Sequence, residues 1–293
     1  MTSQRLATVL LLASTGVPAA ATARGAEPGT AESRLAIGYC TDDLEKAKAS
    51  GFDYAELGVR NFTALPDEDF ARLLDRRKAV GLETPVGFLF LPTDLKVVGP
   101  DVDESREMSY VAKAFHRAQR LGIGTIVFGS GPARRVPDGF PRERAFEQLV
   151  SFAKRISPDA RAHGIVLAVE AQRKEETNLI NTTAEALDWV QAVDDPNFQV
   201  MVDFYHLATE KEDPAVLLKA KRIAHVHFAN PVGRVFPRDP GEYSYSRFFE
   251  VLRQIGYQGR ISLEARTDDL GADAPKAIAF LRAALAPSVR RLR

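Results

Sequence analysis

Only one cysteine, Cys40, occurs in the chain, so no internal disulfide can hold the fold and a hydrophobic core must do so. An excess of either charge is also missing, with 39 Lys and Arg facing 39 Asp and Glu across 293 residues. Without a basic excess there is no long-range attraction to a phosphate backbone or an anionic bilayer, so neither nucleic acid nor a membrane surface is expected as a partner. No apolar run approaches the roughly 20 residues that span a bilayer. Neither G-x-G-x-x-G nor G-x-x-x-x-G-K occurs, which removes the usual phosphate loops of open nucleotide-binding sheets. What is there, 45% hydrophobic and 27% charged residues, is an ordinary soluble composition. A chain of roughly 250 residues can bury about three quarters of its unfolded surface, so the core suffices.

Residues 1–26 read differently from the rest. Arg5 precedes the run Leu6-Ala7-Thr8-Val9-Leu10-Leu11-Leu12-Ala13, and Pro18-Ala19-Ala20-Ala21-Thr22-Ala23 follows. Charge, short apolar run and small residues in that order form a secretory signal, with a cut after Ala23 or near Gly25-Ala26. A disordered tail is the alternative. The expectation is export to the periplasm or exterior, with 27–34 as a short linker; if the segment is not a signal, the protein stays in the cytoplasm. Outside the cytoplasm Cys40 would be an unpaired thiol, most simply buried in a core strand.

From residue 35 on, short β-branched or apolar runs alternate with segments of helical periodicity. Strands are expected at Leu35–Cys40, Tyr54–Gly58, Thr84–Phe90, Thr125–Ser130, Ile165–Ala171, Phe198–Phe204, Ile223–Ala229 and Arg260–Ala265. Helices are expected near 43–50, 67–80, 103–121, 142–163, 182–193, 214–221, 246–255 and 273–285. Thr182/Thr183 and Ser244/Ser246 look like helix starts, and Gly51, Gly81, Gly122, Gly164 and Gly256 look like stops. Eight βα units in this length predict a single (β/α)8 TIM barrel over 35–293, all strands parallel, with its active site at the carboxyl ends of the strands. Phe128-Gly129-Ser130-Gly131 is the nearest thing to a phosphate cradle and reads more simply as a tight turn, although Arg134 and Arg135 nearby keep an anion-facing role open.

Ligand-type residues end four consecutive strands, in Val169-Glu170, Val202-Asp203, His225-Val226-His227 and Leu263-Glu264. In a parallel barrel those ends share one mouth, so Glu170, Asp203, His227 and Glu264 converge despite their separation in sequence. Taken singly, each is more often a rim salt bridge or a core histidine. Three carboxylates aimed at one half-buried point repel one another, and a divalent cation supplies the missing positive charge. The mostly oxygen donor set, without thiolate, favours manganese, magnesium or cobalt, with zinc less suited. His225 is a further candidate for ligation or support. Glu56, at the end of the second strand, reads equally as a mouth residue or a rim salt bridge. His116 and His163 fall within helices. Phe88, Phe90, Phe204, Tyr205, Phe228 and Phe236 could wall a pocket but read mainly as core.

These residues carry a resemblance. Glu170 to Glu176 with Asn181-Thr182, Val-Asp203-Phe-Tyr-His206, His225-Val-His227 and Ser-Leu-Glu264 resemble the xylose-isomerase-like sugar phosphate isomerase/epimerase family of TIM barrels, nearest to its ketose 3-epimerase branch. The specific part runs over about 165–266. The resemblance implies one metal ion on Glu170, Asp203, His227 and Glu264, with Glu170 and Glu264 as the acid/base pair. It also implies contacts from Glu176 and His206 to substrate hydroxyls, and from Arg234, whose spacing is shifted by one residue.

The chemistry also follows without the family. Removing a proton next to a carbonyl needs the resulting enediolate stabilised, which a divalent ion does, and one carboxylate on each face lets the proton leave one side and return on the other. That outcome is epimerisation of a sugar or keto-sugar. Proton shuttling between carbons would give isomerisation, and loss of the β-hydroxyl a keto-sugar or keto-inositol dehydratase or lyase. A non-enzymatic carbohydrate-binding barrel is the remaining alternative. A DNA-repair endonuclease on this fold would need more histidines than the five present. Exposed barrel helices could pair copies into a homo-oligomer.

Overall fold

Eight short strands close on themselves in sequence order: β1 (Ile37–Cys40), β2 (Tyr54–Gly58), β3 (Glu83–Phe88), β4 (Thr125–Phe128), β5 (Val166–Val169), β6 (Phe198–Asp203), β7 (Ile223–Phe228) and β8 (Ile261–Leu263). Every pairing is parallel, and β8 returns to β1 through Ile37↔Ile261 and Tyr39↔Leu263. The computed structural model describes residues 35–286, so the signal and linker assignments over 1–34 lie outside the described residues, as does 287–293. All eight expected strands are present, and the fold is the expected (β/α)8 barrel.

Nine helices among the described residues surround the strands: α1 (Leu44–Ala49), α2 (Val59–Ala64), α3 (Asp67–Val80), α4 (Glu104–Arg120), α5 (Arg142–Ala162), α6 (Thr183–Val193), α7 (Phe204–Thr209), α8 (Ser246–Gln254) and α9 (Leu270–Leu285). The segment expected as a helix at 214–221 is a 3-10 turn at Pro214–Lys219. Local chemistry explains the boundaries. Thr182 caps α6 by accepting from the Glu185 backbone N–H while Glu185 bonds back to the cap, a reciprocal box. Gly81 ends α3 at φ 63°, a left-handed turn that its N–H closes onto the Arg77 carbonyl. In α5, Leu149, Phe152, Ala153 and Ile156 are buried while Glu143, Glu147 and Lys154 are exposed, so one face packs on the sheet.

Two apolar clusters result. The larger lies between strands and helices and includes Phe90, Phe128, Trp189, Phe204, Phe228 and Phe236. The smaller, Tyr54, Val86, Val127, Ala168 and Met201, fills the barrel interior. Across that interior the Tyr54 hydroxyl meets the Ser262 hydroxyl at 2.8 Å. Among the described residues no helix is long and apolar enough to cross a membrane.

Candidate metal centre at the barrel mouth

The carboxyl ends of β5 to β8 bring four side chains together. Glu170 follows β5 directly, Asp203 is the last residue of β6, His227 lies in β7, and Glu264 follows β8. One donor atom from each lies within 4.8 Å of all the others, and all but Glu264 are buried. His227 Nδ1 stands 3.0 Å from Glu264 Oε2 and 3.5 Å from Glu170 Oε1. Both His227 Nδ1 and Glu170 Oε1 are buried without a hydrogen-bond partner, so the site holds unsatisfied donor atoms aimed at one point.

Asp203 and Glu170 are each held by their second oxygen. Asp203 Oδ1 accepts from the Tyr205 backbone N–H at 2.9 Å, starting α7, which leaves Oδ2 for the mouth. Glu170 Oε2 accepts from Gln172 Nε2 at 3.0 Å. A Cβ on Gly129 would sit 2.1 Å from Glu170 Oε2 and 2.5 Å from Gln172 Nε2. The glycine of the expected tight turn therefore serves close approach of the 170–177 loop. Arg134 is wholly buried and donates to the carbonyls of Gly129 at 2.6 Å, Glu170 at 2.9 Å and Ile180 at 3.2 Å, and to that of Leu179. The open anion-facing role is thereby removed for Arg134, which lashes the loop after β4 to the one carrying Glu170. Arg135 donates to the Glu175 carbonyl at 3.1 Å.

The electrostatics fit a cation. Burial pushes Asp203 up to about 7, with Glu264 and Glu170 adding to the rise against Arg234. Burial likewise raises Glu170. Glu264 stays low although partly buried, because the His227 imidazole and the Arg234 guanidinium stand beside it. Left to themselves, Asp203 and Glu170 gather protons, the response of anions crowded out of water. A hard divalent ion satisfies three carboxylate oxygens and the free imidazole nitrogen at once.

The three expected substrate-side residues surround the same point. His206 Nδ1 accepts from the Arg173 backbone N–H at 3.3 Å, so its Nε2 carries the proton. That Nε2 is buried, has no hydrogen-bond partner, and stands 3.5 Å from Asp203 Oδ2 and 3.9 Å from Glu176 Oε2. Burial, aided by Arg234, pulls His206 down to about 3, keeping it a neutral donor. Arg234, at φ 52°, reaches Glu264 Oε2 at 2.9 Å, Asp203 Oδ2 at 3.4 Å and Glu176 Oε1 at 3.4 Å. Its guanidinium lies 4.6 Å from the centre of the Tyr205 ring, with Arg173 at 5.3 Å. Tyr205 is thus a wall of the site that the core expectation missed, while Phe90, Phe204, Phe228 and Phe236 are core.

Glu56 departs from the rim-salt-bridge reading. It is fully buried inside the barrel, its Oε1 accepting from His227 Nε2 at 2.9 Å and its Oε2 from His225 Nε2 at 3.0 Å. His225 therefore sits on Glu56 and outside the four-residue cluster. Cys40 ends β1 half-buried, its thiol 3.8 Å from His227 Nε2 and kept neutral by burial. It could form a donor trio with Glu56 and His227, but only through the His227 nitrogen that Glu56 already engages. His116 lies on α4 and His163 caps α5, both away from the mouth.

Comparison with known proteins agrees with this architecture. A family model described as the xylose isomerase-like TIM barrel matches residues 44–284. The chain is 25% identical over 231 residues to the L-ribulose 3-epimerase of Methylomonas sp. (strain DH-1), a match covering 76% of this chain and 77% of that one. It is 27% identical over 232 residues to the 2-oxo-tetronate isomerase of Haemophilus influenzae, covering 76% and 86%. A crystal structure of the D-allulose 3-epimerase from Methylomonas sp. superposes with a TM-score of 0.74 at 24% identity, over 86% of this chain and 98% of that one, a likeness of fold. Since the family match spans the helices and strands from α1 to α9 and includes all four residues of the cluster, the chain belongs to the xylose isomerase-like TIM barrel family.

Proposed function

We propose that the protein is a divalent-metal-dependent sugar epimerase or isomerase that abstracts a proton next to the carbonyl of a free ketose or keto-sugar. The observation that carries this reading is the meeting of Glu170, Asp203, His227 and Glu264 donors within 4.8 Å at the barrel mouth. Relatives named for L-ribulose, D-psicose and 2-oxo-tetronate support a sugar-derived substrate with a carbonyl. Manganese, magnesium or cobalt suits the donor set, and when bound such an ion polarises the carbonyl and offsets the charge of the enediolate.

The chain's own groups supply the proton traffic. Glu170 and Glu264 both stand at His227 Nδ1, at 3.5 and 3.0 Å, and in this reading they serve the two faces of a planar enediolate, one carboxylate each. Whichever carboxylate takes the proton, the other returns one, and the carbon inverts. His206 Nε2–H is free to donate to a substrate oxygen, and Glu176 can accept from a hydroxyl while Arg173 and Arg234 steady it. Arg234 closes the site beside Tyr205 and limits water access. The leader-like segment at 1–26 supports action outside the cytoplasm, where unphosphorylated sugars are the available substrates.

The test is turnover of L-ribulose, D-psicose and D-tagatose by manganese- or cobalt-loaded protein, followed by chromatography of the products. C3 epimers are expected, and Glu264→Gln should lower the rate by roughly 10²–10⁴ while sugar binding persists. An unsaturated, ultraviolet-absorbing product would replace epimerisation by elimination. A wild type that binds sugar but turns none over would leave a binding barrel.

A further inference from the structure

Glu56 lies outside the four-residue cluster, yet it is the most deeply enclosed carboxylate near it. It belongs to β2, whose neighbours are β1 and β3, whereas His225 and His227 belong to β7, between β6 and β8. The contact therefore crosses the barrel interior, and barrel closure is what allows it. Both carboxylate oxygens are used, one on each histidine, at 2.9 and 3.0 Å. The two imidazole rings stand perpendicular, with centres 5.1 Å apart, so each presents its Nε2 edge to a different oxygen.

A carboxylate only accepts hydrogen bonds, so both histidines must carry their protons on Nε2. For neutral His227, the form that can ligate a cation, this fixes the useful tautomer: the lone pair is on Nδ1, the atom that faces Glu170 and Glu264 and has no hydrogen-bond partner. His225 occupies the second oxygen and so holds the carboxylate plane against rotation. Building on the metal-dependent reading above, we propose that Glu56, braced by His225, is a positioning residue for the metal centre: it sets the tautomer and ring orientation of His227 and strengthens it as a donor to a divalent cation. Carboxylate partners on the far nitrogen of a ligating histidine act in this way generally, and their loss costs about 10–100-fold in metal affinity.

Glutamine at position 56 keeps the shape but not the acceptor pair. Its amide oxygen can serve one histidine, while its NH₂ faces the other and demands an acceptor there. If His227 meets the NH₂, its proton must move to Nδ1, into the place of the cation.

The experiment is calorimetric titration of wild type and Glu56→Gln with manganese chloride at one pH, beside thermal unfolding of both in chelator. The expected result is a dissociation constant about 10–100-fold weaker in the variant, with cooperative unfolding of the metal-free form retained. Equal manganese affinity in the two proteins would overturn the proposal while leaving the metal centre standing. A wild type that binds neither manganese, cobalt nor magnesium would overturn the proposal and the metal-dependent function together. If Glu56→Gln does not fold, Glu56→Asp takes its place: a carboxylate one methylene shorter cannot reach both Nε2 atoms, so manganese binding weakened about tenfold or more supports the role and unchanged affinity refutes it.

Discussion

Asp203 should make the metal-free protein less stable as the solution becomes alkaline, and replacing it with asparagine should remove that loss. Burial lifts the carboxyl from 3.8 to about 7, with Glu264 and Glu170 adding to the rise and Arg234 opposing it. A carboxyl whose folded value exceeds its unfolded one binds its proton more tightly in the native state. Its contribution is full below the unfolded value and is lost as pH rises through about 7. At 1.36 kcal/mol per unit, the shift is worth about 4 kcal/mol in full, of which roughly 3 kcal/mol disappears between about pH 5 and about pH 8. Burial also depresses His206 to about 3 and lowers His225; those groups add stability as pH rises toward 6.5, so the raw wild-type profile mixes both signs. The difference between wild type and Asp203→Asn isolates the carboxyl. Asparagine keeps the oxygen that caps α7 at Tyr205, so the helix start survives. Urea unfolding of both proteins in chelator should show the balance shifting toward the variant by roughly 3 kcal/mol between about pH 5 and about pH 8. Saturating manganese should reverse the order, because only wild type then offers the anionic ligand. A difference that stays constant across this range would refute the account of a carboxylate crowded by its neighbours.

Two further substitutions test how the Glu170 loop is held. Arg134→Met fills the buried volume but abandons the carbonyls of Gly129, Glu170, Leu179 and Ile180, and should cost about 3 kcal/mol or more in urea unfolding, with faster proteolysis within 170–181. Gly129→Ala places a methyl 2.1 Å from Glu170 Oε2, so the carboxylate must move; manganese affinity should fall by about tenfold or more, while stability drops by only about 1–3 kcal/mol. Unchanged manganese binding in Gly129→Ala would show that Glu170 does not need its observed position.

The barrel was legible because its strands are short β-branched or apolar runs alternating with helical periods, five of them shortly after a glycine stop at Gly51, Gly81, Gly122, Gly164 or Gly256. Two helices were not. α2 and α7 are six residues each and follow β2 and β6 with no turn between, so no loop composition announces them. Phe204, Tyr205 and His206 are poor helix formers, and α7 exists because Asp203 caps it and because Phe204 stacks on Phe228 at 4.9 Å. The same compactness places Asp203 and His206 on one side of the mouth, three residues apart, where an extended strand tail would have parted them.

Ligand and support are harder to separate in sequence than strand and helix. Glu56 and Glu170 are both acids set against apolar strand residues, Glu56 inside β2 and Glu170 directly after β5, and only one belongs to the cluster. The difference lies in the strand's place around the barrel. β5, β6 and β8 lie on the β7 side, and their carboxylates approach the Nδ1 edge of His227 or the space before it. β2 lies across the interior, so its carboxylate arrives at the opposite edge, Nε2, 171 positions away in sequence. An imidazole has two nitrogens on two edges, so a metal histidine on an inner strand needs acids from both sides of the closed sheet: those near its own strand complete the ligand set, and one from across the barrel decides which nitrogen they find.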